Sequence, residues 1–275
     1  MQYKLIVVDM DGTLLNTNHE VSKETRETLA KAMEKGVKVG IATGRIYPSA
    51  RYYGNLLGLS TPIIACNGAI VKDEEKGEII FSDAMQKDDV IKIINICKEN
   101  DIYFHFYDHD RFYIERERYN SLDFQDWTFK ESMEDQVGII QLEDASSYVE
   151  KNNIDVLKIT ILDEDMDKLE NIKKQIAQIS TIEIDKSWYN NMEIMNKEVS
   201  KGKGIEALAK KLGIEKDEII AFGDNYNDLS MKDYVKTFVA MENGVDNVKE
   251  KADYVTASND ENGVAKGIKK FVLTE

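Results

Sequence analysis

The chain has 275 residues, 42% of them hydrophobic and 32% charged, with 16 Gly and only 2 Pro. This make-up excludes collagen-like, low-complexity and largely disordered architectures and leaves room for one large domain or two unequal ones. Asp and Glu total 51 against 36 Lys and Arg, and a net charge of -15 repels nucleic-acid phosphates and anionic lipid heads, so neither partner is expected.

Residues 4 to 9 open the chain with a strand apolar on both faces, the pattern of a parallel strand covered by helices. The apolar stretch Leu5 to Val8 is too short for a secretory signal, and no apolar run approaches the roughly 20 residues of a membrane span. Cys66 and Cys97 then read as reduced thiols, and a cytoplasmic location is expected. Residues 22 to 35 carry Leu29, Ala32 and Met33 on one helical face and stop at Gly36 before a second buried strand, Val37 to Ala42. Pro48 suits the first turn of a helix to about residue 57, and Pro62 leads into a third strand, Ile63 to Cys66, read as continuing the parallel sheet.

From about residue 84 the character changes. A helix over 87 to 100, strands at 102 to 107, 111 to 114 and 156 to 162, a helix over 165 to 177 and strands near 181 and 192 describe an inserted α+β module. Residues 115 to 153 are acidic and weakly periodic. The first grammar then returns: Ile205, Leu208, Ala209 and Leu212 form a helix face closed by Gly213, followed by strands at 218 to 222 and 236 to 240 and a helix over 261 to 271. The expected fold is a doubly wound α/β core, residues 1–83 and 197–275, interrupted by an α+β domain over 84–196.

Ligands of open α/β sheets bind beyond the carboxyl ends of the strands, and that is where the chemistry-bearing residues fall. Asp9-Met10-Asp11-Gly12-Thr13 follows the first strand, with two carboxylates spaced to flank one ligand and a glycine that permits a reversal. Thr43-Gly44-Arg45 follows the second strand. Lys201 opens a helix, and Gly223-Asp224-Asn225-Tyr226-Asn227-Asp228 ends a later strand. Hard Mg²⁺ prefers oxygen ligands and needs only one or two carboxylates plus a phosphate, which Asp9 and Asp224 can provide, while Thr43 and Lys201 supply donors suited to phosphoryl oxygens.

In that order these four segments resemble the motifs of the haloacid dehalogenase (HAD) superfamily, and Asn67-Gly68-Ala69 with Ala240-Met241-Glu242-Asn243-Gly244 and Ala252-Asp253-Tyr254-Val255 resemble its Cof-type phosphatase branch. The resemblance implies a Mg²⁺-dependent phosphatase acting through an aspartyl-phosphate on a small phosphorylated metabolite, such as a sugar phosphate, pyridoxal phosphate or flavin mononucleotide. It implies Asp9 as nucleophile, Asp11 as general acid and base, and a metal held by Asp9, the Asp11 carbonyl and Asp224. Thr43, Gly44, Arg45, Asn67, Lys201 and Asn227 would bind phosphate or substrate. Asp228 would orient Lys201 or a metal-bound water. The insert would be the family's C2-type cap, which closes over the active site, in a monomer or homodimer. A phosphotransferase or phosphomutase on the same fold, and a non-catalytic metabolite binder, are the rival readings.

Three other groups are read as structural. Asp108-His109-Asp110 fits a hairpin turn, Asp163 to Asp167 fits a helix N-terminus because Lys168 stands where a calcium loop needs Gly, and Cys66 fits a buried strand. Lys203 lies about 200° around the helix from Lys201, so only one of the two can face the site.

Overall fold

The computed structural model describes residues 3–73, 75–116, 138–186 and 189–274. They form two units: Met1–Arg45, Ala50–Phe81 and Ser200–Glu275 in the first, and Ile46–Ser49 with Ser82–Val199 in the second.

The first unit begins with β1 (Leu5–Val8), α1 (Lys23–Glu34), β2 (Lys38–Ile41), α2 (Tyr47–Leu56, whose first turn belongs to the second unit), β3 (Ile63–Ala65), β4 (Ile70–Asp73) and β5 (Glu78–Ser82). The second carries α3 (Lys87–Glu99), β6 (Tyr103–Tyr107), β7 (Arg111–Ile114), β8 (Gly138–Gln141), α4 (Ala145–Asn152), β9 (Lys158–Leu162), α5 (Met166–Ile176), β10 (Ile182–Asp185) and β11 (Asn191–Asn196). The chain then returns to the first unit through α6 (Lys201–Leu212), β12 (Ile219–Gly223), β13 (Thr237–Ala240), α7 (Asp246–Lys251), β14 (Tyr254–Val255) and α8 (Gly263–Phe271).

In the first unit the parallel sheet runs β14-β13-β12-β1-β2, with Leu5 opposite both Ile219 and Lys38. Every residue of β1 and β12 is buried, which is why both read as unbroken apolar runs. Local signals fix the helix ends: the Ser22 hydroxyl accepts from Thr25 N at 3.1 Å, and the Ser200 hydroxyl accepts from Lys203 N at 3.2 Å. Gly213 closes α6 in a left-handed cap. These choices set β1, β2 and β12 side by side and parallel, so the loops that follow them leave the same edge of the sheet.

The third strand follows the sequence reading only in part: it meets the end of β2 in a single parallel bridge and otherwise leaves the parallel sheet. β3 ends at Ala65 and pairs antiparallel with β4 in a separate sheet ordered β3-β4-β5. A bridge between Ala42 and Ile64, with Thr43 N donating to Ile64 O at 3.0 Å, ties it to the parallel strands. The cause is a run of left-handed residues, Cys66 (φ 49°), Asn67 (φ 57°) and Gly68 (φ 99°), which turns the chain back after three residues of strand. Cys66 is therefore a buried turn residue, not a strand residue.

In the second unit a sheet ordered β10-β11-β9-β6-β7-β8 packs one face against α3, α4 and α5, with Phe106, Ile159, Ile161 and Ile194 at the centre of the core. Asp108 Oδ1 accepts from the main-chain N–H of Asp110 and Arg111, making the expected hairpin turn, and Asp165 caps α5 through Asp167 N and Lys168 N. β8 and α4 occupy part of the weakly periodic stretch, whose residues 117–137 lie outside those described. Among the described residues no helix is long and apolar enough to cross a membrane.

Candidate active site

Asp9 continues β1 by donating its main-chain N–H to Phe222 O at 3.0 Å, and the chain then turns sharply through Gly12. At φ +78° Gly12 has the conformation that glycine tolerates best, and a Cβ there would come within 2.5 Å of Asp224 Oδ2. Thr13, also buried, donates its hydroxyl to Asp224 Oδ1 at 2.7 Å. Asn243 Nδ2 donates to Gly12 O at 2.8 Å, and Asn259 N donates back to Asn243 Oδ1 at 3.0 Å. The loop after β1 is thus fastened to the loops after β12 and β13. Thr13 and Asn243 lie inside segments that the sequence singles out, yet no role is legible there, because a fastening bond shows only once distant loops meet.

Lys201 lies at the first turn of α6 with only 1% of its side chain exposed, and its ammonium donates to Asp9 Oδ1 at 2.5 Å and to Asp228 Oδ1 at 2.6 Å. Asp228 Oδ2 accepts from the main-chain N–H of Asp224 and Asn225, at 2.9 and 3.0 Å. Both Asp228 oxygens are therefore engaged, one in holding Lys201 and the other in shaping the Asp224 loop. Of the two roles the sequence leaves open, orientation of Lys201 is the one this geometry supports.

Asp9, Asp224 and Asp228 each present a carboxylate oxygen within 4.8 Å of the other two. Burial, then the charge of Asp228, pushes Asp9 well above the usual carboxylate range, against the pull of Lys201. The same two causes raise Asp224 to about 7, while the Thr13 hydroxyl pulls the other way. Three carboxylates thus face one ammonium, a deficit of two positive charges that a divalent oxygen-seeking cation would balance. With Asp228 engaged as described, Asp9 and Asp224 are the side chains placed to hold such an ion.

Asp11 is placed differently from Asp9. Its side chain is 47% exposed, and it receives a two-pronged contact from Arg45, with Nε to Oδ2 at 2.7 Å and the second nitrogen to Oδ1. The Arg45 guanidinium is itself buried over the Tyr53 ring. Burial opposes its charge, but the Asp11 contact outweighs burial and raises its pKa above the ordinary arginine value. The sequence expects Arg45 among the phosphate or substrate ligands; here its fork is matched to Asp11, because a carboxylate presents two oxygens at the spacing a guanidinium fits.

The turn after β3 completes the group. Asn67 Oδ1 accepts from Asn227 Nδ2 at 3.0 Å and lies where a Cβ on Gly44 would come within 2.9 Å. Thr43 is fully buried, and its hydroxyl accepts from Arg45 N at 3.1 Å. Asn227 Oδ1 is buried and without a partner among the described residues. Asn67 thus meets both Gly44 and Asn227, while Lys201 is the residue that touches Asp9.

A family model described as haloacid dehalogenase-like hydrolase matches residues 6–268. The chain belongs to that family, and within it to the phosphoric monoester hydrolases. It is 33% identical over 278 residues to the 5-amino-6-(5-phospho-D-ribitylamino)uracil phosphatase YwtE of Bacillus subtilis (strain 168), covering 95% of this chain and 96% of that protein. It is 28% identical over 273 residues to the pyridoxal phosphate phosphatase YbhA of Escherichia coli (strain K12), covering 99% and 100%. A solved structure of the HAD subclass IIB sugar phosphatase BT4131 superposes with a TM-score of 0.80 at 28% identity, covering 98% of this chain and 100% of that one.

Proposed function

We propose that this phosphatase hydrolyses a small phosphorylated metabolite through an aspartyl-phosphate on Asp9, with Mg²⁺ as cofactor. The carrying observation is the buried Asp9 carboxylate at the end of β1, bonded to Lys201 and adjoining Asp224 and Asp228. Asp9 forms a bond to phosphorus as the bond to the departing alcohol oxygen breaks, and Asp11 gives that oxygen its proton. Asp11 then takes a proton from the water that attacks phosphorus, which frees Asp9 and inorganic phosphate. The Thr43 hydroxyl, the Lys201 ammonium and the Asn227 amide hold the phosphoryl oxygens. Asp228 keeps Lys201 in place, and Arg45 steadies the exposed Asp11. Held by Asp9, Asp224 and the Asp11 main-chain carbonyl, Mg²⁺ would neutralise charge between two anions that have to meet. The inserted unit is proposed to act as the cap that restricts the site to small esters.

Phosphate release from a panel of phosphorylated metabolites, with Mg²⁺ present and then removed by chelator, tests this reading. Release that stops on chelation and returns with Mg²⁺ is expected. Full turnover after exhaustive chelation would overturn the metal assignment.

A further inference from the structure

Asp224 is fixed at its backbone and at one carboxylate oxygen. Its main-chain N–H donates to Asp228 Oδ2 at 2.9 Å, and its main-chain carbonyl accepts from Val245 N at 2.9 Å. A Cβ on Gly244 would come within 2.8 Å of that carbonyl oxygen, so the loop after β13 lies directly on the Asp224 backbone. On the side chain, Oδ1 accepts the Thr13 hydroxyl at 2.7 Å and Oδ2 lies against Gly12. Asp9 shows the same division, since the Lys201 ammonium takes its Oδ1. Asp228 has both oxygens engaged.

Thr13 is 1% exposed, and a tight turn brings it back to Asp224, with Leu14 N donating to Asp9 O at 3.1 Å and Leu15 N to Met10 O at 2.9 Å. Valine would fill the same space with no polar atom to satisfy, so packing gives no reason for a hydroxyl here. Its effect falls on Asp224. A charge-assisted bond to Oδ1 fixes the plane of the carboxylate, and an oxygen that already accepts a proton is the poorer ligand of the two. Ca²⁺ takes about six to eight oxygens and readily uses both oxygens of one carboxylate, whereas Mg²⁺ demands a tight octahedron, keeps several waters and needs only one or two carboxylates. A site that offers one oxygen from Asp9 and one from Asp224 is short of ligands for the larger ion.

We infer that Thr13 holds Asp224 to ligation through a single oxygen and thereby sets the preference of this protein for Mg²⁺ over Ca²⁺. Thr13 is a positioning residue, acting through Asp224. The inference rests on the metal reading proposed above and deepens it.

The test titrates metal-free protein with Mg²⁺ and with Ca²⁺ by calorimetry, and follows the shift of the thermal midpoint, for the unaltered chain, Thr13→Val and Thr13→Ser. Thr13→Val should weaken Mg²⁺ binding by about 10- to 100-fold, the usual cost of losing a bond behind a metal ligand, and leave Ca²⁺ binding nearly unchanged or tighter. The ratio of the two dissociation constants should thus move at least about tenfold toward Ca²⁺. Thr13→Ser, which keeps the hydroxyl, should retain the original ratio. A purely structural role would lower the thermal midpoint of metal-free Thr13→Val and leave the ratio where it was; that result, or equal weakening of both ions, would overturn the inference and spare the metal reading. Infrared difference spectra of the unaltered protein supply a readout that needs no variant to fold. With Ca²⁺ added, the carboxylate bands should be those of single-oxygen ligation, and bands of two-oxygen ligation would overturn the inference. Failure of either ion to bind the unaltered protein at all would overturn the metal reading as well.

Discussion

Asp228→Asn changes one atom of the side chain, removes one charge, and tests whether Asp228 holds Lys201. Lys201 is 1% exposed and lies 2.5 and 2.6 Å from the two carboxylates that flank it. At an effective dielectric of about 20, each contact at that distance is an attraction of about 6 kcal/mol. Most of this is offset by the cost of taking the ions out of water, and removing one partner of a buried pair typically costs about 3 to 5 kcal/mol. Part of any loss in Asp228→Asn comes instead from Oδ2, which accepts from Asp224 N and Asn225 N. A double-mutant cycle with Lys201→Met separates the two, because the main-chain bonds are present in both backgrounds. In metal-free protein at neutral pH, urea unfolding should show Asp228→Asn costing about 3 to 5 kcal/mol alone and at least about 2 kcal/mol less beside Lys201→Met. Additivity within about 0.5 kcal/mol would refute the coupling and leave Asp228 as a loop-shaping residue only.

The raised Asp224 pKa makes metal and proton competitors. A carboxyl at about 7 in the folded state binds its proton more tightly than in the unfolded chain, so its contribution to stability is complete at low pH and lost as pH rises through about 7. Added Mg²⁺ should therefore raise the thermal midpoint strongly above that pH and little near about pH 5; equal shifts at both would contradict Asp224 as a metal ligand. The two carboxylates of the first motif separate by leaving group. With a chromogenic aryl phosphate, Asp11→Asn should give a burst of phenolate and then turnover slowed about 10² to 10⁴-fold, whereas Asp9→Asn should give no burst. Unimpaired steady turnover of Asp11→Asn in rapid-mixing experiments would reverse the assignment.

Much of this was written locally. The apolar runs of β1 and β12 declare strands buried on both faces, and Ser22, Asp165 and Gly213 mark helix ends by side-chain chemistry that acts within one turn. Asp9, Thr43, Lys201 and Asp224 are legible because strand and helix ends are where such side chains converge. The reversal at Cys66 is not, because a cysteine in the left-handed region has no compositional sign and depends on the fit around Asn67 and Gly68. The hairpin strand β5 escapes notice because its Glu-Ile-Ile-Phe-Ser run is only partly buried and keeps no clean alternation. Arg45 shows the limit most clearly: its place after β2 is visible, but the carboxylate it grips is chosen by three-dimensional proximity.

The order of the parallel sheet also bears on how the chain is made. β1 lies between β2, which emerges soon after it, and β12, which pairs Ile219 with Leu5 only when most of the chain has been synthesised. Until then the apolar Leu-Ile-Val-Val edge has one neighbour missing, a state open to mispairing with other chains. Every pairing within the sheet of the second unit, by contrast, closes between residues 103 and 196. The long insertion therefore puts a segment with its own hydrophobic core between the two halves of the parallel sheet, and β1 waits for its second partner while that segment emerges from the ribosome.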